Sequence, residues 1–184
     1  MTQKLAAAQF LIADPFLKDD NFMRSVVFLC SHDATGSFGL TIHKKLGFHL
    51  SDLMEDISNT NIPVYVGGPV ATDTLHFLHQ YPNLIPNAQA LGNGIFWGGD
   101  FSAVITLLNN NAIELHKIKF FLGYSGWSAQ QLDDECKEHS WLVDDATASI
   151  LFEVEPEKTW EACVRKLGDE YLQLLLYPID PQLN

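Results

Sequence analysis

Ile118-Lys119-Phe120-Phe121-Leu122-Gly123-Tyr124-Ser125-Gly126-Trp127-Ser128 is the stretch on which the fold turns. Its first five residues are apolar apart from Lys119 and predict a central strand, Ile118–Leu122. Ser128 and Gln131 stand at capping-box spacing, so each side chain can satisfy the other's exposed backbone N–H. That predicts a helix from Ser128 to about His139. Gly123–Trp127 then lies between a strand and a helix.

Upstream, short apolar segments rich in branched residues predict strands at Phe10–Ala13 and Ser25–Cys30. Gly36–Ile42 is expected to pair back as a hairpin. Further strands are expected at Pro63–Val66, Thr74–His79 and Gly94–Trp97, with a short helix at Leu50–Asp56. Asp100 reads as the N-cap of a helix over Phe101–Leu108, its carboxylate accepting a free backbone N–H. Downstream, Trp141–Val143 reads as a short strand. Lys158–Leu167 reads as a helix with Trp160, Cys163, Val164 and Leu167 on one face, stopped by Gly168, and Tyr171–Leu176 as a further apolar element. Strands dominate the first two thirds and helices the last third. This order implies an α+β fold with a largely antiparallel sheet, in one domain spanning residues 1–184.

The 184 residues carry 23 acidic and 11 basic side chains, a net charge of −12. The excess is uneven: residues 133–184 hold thirteen acids against four bases, whereas residues 1–45 hold four acids against five bases. Direct nucleic-acid binding is disfavoured, because it rests on Lys and Arg neutralising phosphates. The acidic C-terminal part is expected to be a solvated face, with an acidic docking surface for a basic partner as the sharper reading. No apolar stretch is long enough to span a membrane. The N-terminal segment reads as a short lead-in to a strand, not an export signal. Cys30, Cys136 and Cys163 are odd in number and far apart, which implies reduced thiols in a cytoplasmic protein.

Eight of the twelve glycines fall between Gly67 and Gly126, each near a strand end. Neither a phosphate-loop nor a dinucleotide-binding spacing is present. The glycines read either as tight turns or as loops lining a ligand cleft, with Gly98-Gly99-Asp100 at a helix start as the best anion-site candidate. Gly123-Tyr124-Ser125-Gly126-Trp127 approaches a nucleophile elbow but has Trp127 where that pattern needs glycine. Of the acids placed to complete a triad with His139, Asp133 and Asp134 would lie with it on the following helix, which is poor geometry for a Ser125 hydrolase. His76 and His79 would face opposite sides of a strand, and no metal-ligand spacing occurs, so neither metal nor cofactor is expected.

Several segments match one family in order: Phe10–Pro15, Arg24-Ser25-Val26, Gly36-x-x-Gly39-Leu40, Val64–Val70, Leu75-His76-x-Leu78-His79 and Gly98–Asp100. Phe120–Trp127 follows, with Gln131-Leu132 and Glu135. Together they resemble the YqgE/AlgH family of bacterial proteins from about residue 5 to 175. The resemblance implies a compact cytosolic α+β protein without an established biochemical activity, in a family often labelled as transcriptional regulators. It also implies Ala at the position of Ser125, which weakens the nucleophile reading. Asn at the position of His43 and Gly at that of Gln130 are two further departures.

These readings converge on a non-catalytic regulatory protein that binds a small molecule or a protein partner, with its oligomeric state open. The expected cleft is framed by Gly67, Gly68, Gly98, Gly99, Asp100, Gly123, Tyr124, Trp127 and Gln131. A Ser125 hydrolase and a direct DNA-binding regulator are the competing readings.

Overall fold

The structure is a computed structural model and describes residues 4–177. Within these residues ten strands form one curled sheet: β1 (Gln9–Ala13), β2 (Val26–Asp33), β3 (Gly36–Thr41), β4 (Lys45–His49), β5 (Pro63–Val66), β6 (Val70–His79), β7 (Gln89–Gly92), β8 (Ile95–Trp97), β9 (Ile118–Ser128) and β10 (Trp141–Asp145). The main order is β10-β1-β2-β3-β9-β6-β8-β7, with β5 and β4 branching from β9. Every pairing is antiparallel except β5 with β9. The α+β reading and the antiparallel sheet are therefore correct.

β9 is the hub, and it is longer than the sequence suggested. Its first half pairs with β5 on one edge and β6 on the other, from Val64 opposite Phe120 to Val66 opposite Leu122 and from His79 opposite Ile118 to Leu75 opposite Leu122. Its second half pairs with β3, from Gly39 opposite Ser125 to Gly36 opposite Ser128. Gly123–Trp127 is thus strand, not a strand-to-helix turn.

Among the described residues five helices cover the sheet: α1 (Leu50–Leu53), α2 (Phe101–Asn109), α3 (Gln131–Lys137), α4 (Ala148–Phe152) and α5 (Thr159–Leu167). A 3-10 helix, Asp169–Leu176, follows α5. α3 starts three residues later than Ser128. Ser128 ends the strand, the left-handed Gln130 (φ 68°) turns the chain, and the Gln131 side chain accepts from the Ser128 backbone N–H at 3.0 Å. Half of the expected capping box is formed. Asp100 caps α2 as expected.

The continuous apolar runs are explained by burial on both faces. Phe10, Ile12, Val26 and Phe28 point into a core with Leu151, Trp160 and Val164 of α4 and α5. Leu11, Val27 and Leu29 point to the other face, into a second core with Trp127, Leu132 and Trp141. A third core joins Ile118 and Phe120 to Val104 and Leu108 of α2. Trp160, Cys163 and Val164 are buried together, and the Trp160 indole donates to the Ala13 carbonyl at 2.9 Å. Among the described residues no helix is long and apolar enough to cross a membrane.

Candidate functional site

Two of the three glycine segments meet, and they meet backbone to backbone. Gly67 receives Thr41 N–H on its carbonyl at 2.7 Å and donates its own N–H to Leu122 at 2.8 Å. A Cβ on Gly67 would collide with the Gly123 carbonyl, and one on Gly68 with the Tyr124 carbonyl. Gly123 has φ +70°, and a Cβ there would come to 2.5 Å from the Gly68 carbonyl oxygen. Bare backbone is needed here because β5 must leave β9 and make room for β3 on the same edge. The space between these segments is filled by main chain.

Gly98-Gly99-Asp100 lies apart and packs on another segment. A Cβ on Gly99 would approach the Pro86 carbonyl oxygen to 2.7 Å, and Asp100 N–H donates to that same oxygen at 2.8 Å. The Asp100 carboxylate accepts from Ser102 N–H at 2.9 Å and from the Ser102 hydroxyl at 2.6 Å. The Ser102 hydroxyl first, then the backbone of Ala103, holds that carboxyl below its ordinary range. The start of α2 already holds an anion of its own, so the expected external-anion site is satisfied internally.

Trp127 and Gln131 come together around a residue absent from the expected frame. Glu135 accepts from the Trp127 indole at 2.9 Å, the Trp141 indole at 2.8 Å and the Gln131 amide at 2.9 Å. Trp127 and Trp141 are both buried. This network braces α3 against β9 and β10. Its signal in the sequence was the pair of indole N–H groups that need an acceptor when buried.

Tyr124, on the other face of β9, belongs to an open aromatic cluster. Its ring stacks on Phe38 of β3 at 4.6 Å, and Trp97 packs on Phe38 at 4.9 Å. His76 of β6 meets Phe38 edge-on at 5.2 Å and Tyr124 at 6.1 Å. All four rings are half-buried. Beside Phe38 and Tyr124 lies an open cleft of about 480 Å³, rimmed by Ser31, Asp33, Thr35 and Ser37, with Trp127 at its far side. The His76 Nε2 is buried without a partner, and burial lowers the imidazole pKa. Gly98 does not line this cleft, and its neighbour Trp97 meets it only by packing on Phe38. Phe38, His76 and Trp97 stand outside the expected frame because they are far apart in sequence and join only when β3, β6, β8 and β9 align.

Ser125 is fully buried, and its hydroxyl donates to the Gly67 carbonyl at 3.1 Å, with Thr41 Oγ1 at 3.5 Å. No histidine hydrogen-bonds to it among the described residues, and it lies inside a strand. This geometry is that of a structural hydroxyl, not an activated nucleophile. His76 and His79 do point apart: His79 is buried between the Gly98 carbonyl and the Tyr81 N–H.

A family model described as AlgH-like matches residues 10–172. A UPF0301 protein of Cytophaga hutchinsonii is 38% identical over 181 residues, covering 98% of this chain and 100% of its own. One of Bacteroides thetaiotaomicron is 39% identical over 178 residues, covering 96% and 90%. The solution structure of the AlgH protein from Pseudomonas aeruginosa is 29% identical, with a TM-score of 0.75 and coverage of 97% and 98%. A crystal structure of a Corynebacterium diphtheriae protein is similar in fold, with a TM-score of 0.80 at 16% identity over 95% and 93% of the two chains.

Proposed function

We propose, from the premise that this chain belongs to the AlgH-like family, that it works by non-covalent recognition as a cytosolic regulatory binding protein. The site is the aromatic cleft at the β3 and β9 strands, and its ligand is a small molecule with a planar ring. One observation carries this reading. The Tyr124–Phe38–Trp97 stack is left half-buried beside a cleft of about 480 Å³ with a polar rim. That volume falls within the range of small-molecule sites, and half-covered rings invite a further stacked ring. Ser31, Thr35 and Ser37 supply the hydroxyls that would orient it. An aromatic side chain from a protein partner would use the same rings.

The four tryptophans make the test direct. In protein labelled with 5-fluorotryptophan, a library of planar fragments should move the ¹⁹F signals of Trp97 and Trp127, leaving Trp141 and Trp160 in place. Tyr124→Ala should weaken any such binding by about ten-fold. If no fragment moves Trp97 or Trp127 saturably, the cleft is not a ligand site.

A further inference from the structure

Lys119 is an anomaly that the aromatic cleft does not use. It sits second in β9, five residues before Tyr124, and is only 8% exposed. Its Nζ donates to the Ile42 carbonyl at 3.3 Å and lies 4.6 Å from the centre of the Tyr65 ring. Among the described residues it forms no ion pair with a carboxylate. An ammonium has three N–H donors, so one long hydrogen bond and one ring face leave it under-satisfied. A buried charge in this condition is costly unless a counter-charge joins it.

The space beside it is the right kind for such a counter-charge. A cavity of about 250 Å³ opens between β5, the Leu115–Lys117 turn and α4, with Lys119 on its wall. Ile62, Pro63, Leu115 and Phe152 make its surface apolar, and no carboxylate lines it. The remaining polar groups on the wall are His116 and the Tyr65 phenol. Lys44 and Lys45 add positive charge nearby. Burial first, and then Lys45, press the Lys119 amine down to about 8, and Lys119 in turn helps to hold His43 neutral. Two acids stand in this neighbourhood, Glu114 at 3.9 Å from the His116 ring nitrogen and Glu157, which acts on His43 and Tyr65 from a distance, and neither bonds Lys119.

We infer that this cavity binds a small monocarboxylate with an apolar body, its carboxylate ion-paired with Lys119 Nζ and its hydrocarbon part against Phe152 and Ile62. The binding is reversible and involves no covalent step. It is separate from the planar-ligand site, so either reading can fail alone.

Benzoate is the probe, with benzyl alcohol as its uncharged counterpart and inorganic phosphate as an anion without an apolar body. Amide resonances of Tyr65, Lys119 and Phe152 are followed by NMR during titration. Benzoate should shift them saturably below about 10 mM, with benzyl alcohol and phosphate each at least about ten-fold weaker. Lys119→Met should weaken benzoate by about ten-fold or more, while Lys119→Arg, which keeps the cation, should retain it within about three-fold. Because Lys119→Met removes a lone buried charge, it should fold with an otherwise native amide spectrum. Benzoate binding that survives Lys119→Met would overturn the inference. So would benzyl alcohol or phosphate binding equally well, or no saturable shift at these residues.

Discussion

Glu135 shows how much one exposed-looking carboxylate can hold. It accepts from two buried indoles and one amide, joining β9, α3 and β10. Glu135→Ala would leave both indole N–H groups without their acceptor, and is expected to cost about 2–3 kcal/mol in urea denaturation. Glu135→Gln keeps one carbonyl oxygen and should cost about half as much. His43 makes a different prediction. Burial, with repulsion from Lys44 and Lys119, lowers its imidazole to about 4. Unfolded, it takes up a proton near 6.5. Between those values the unfolded chain binds more protons, so stability is complete above about pH 6.5 and is lost as pH falls toward 4. Burial lowers His76 and His79 in the same direction. From about pH 7 to about pH 5 the native protein should lose about 2 kcal/mol more stability than His43→Gln.

Along elements, the sequence was most legible where burial was two-sided. Phe10–Ala13 and Ser25–Cys30 read as strands because every residue but Ser25 is apolar, and both faces are indeed covered. β7 was missed because its exposed, mixed side chains carry little apolar pattern, and β4 because its Leu46 and Phe48 alternate with exposed neighbours over only five residues. α4 was missed because five residues are too few to show a helical period. The second half of β9 misled for a different reason. Gly123 and Gly126 look like turn residues, yet the demand on Gly123 comes from a chain crossing it, which no local pattern records. The expected frame split accordingly: Tyr124 and Trp127 fell on the aromatic cleft, Trp127 with Gln131 also on the Glu135 network, and Asp100 on its own helix cap. Two alanine substitutions separate these kinds of glycine. Gly67→Ala drives a Cβ into the Gly123 carbonyl and should cost about 3 kcal/mol or more. Gly98→Ala meets nothing within 4 Å and suffers only from its φ of +64°, so about 1 kcal/mol is expected in the same denaturation assay.

At the scale of the whole molecule, the acidic excess and the sheet's wiring matter most. With net charge −12, the protein is expected to give no mobility shift of duplex DNA even at low salt, where any phosphate contacts would be strongest. A salt-sensitive shift would revive the DNA-binding reading. The wiring has a temporal side as well. β3, β5 and β6 lie within the first 79 residues, yet the strand that joins them begins at Ile118. On a ribosome adding about 5–20 residues per second, those strands wait several seconds with open edges. Folding is therefore slaved to the emergence of a single late segment, and contacts this distant in sequence form slowly. A chain ending at Lys117 should be unfolded and aggregation-prone by circular dichroism and light scattering, whereas the 184-residue chain should refold. The newborn protein thus has a period of exposure that its finished sheet conceals.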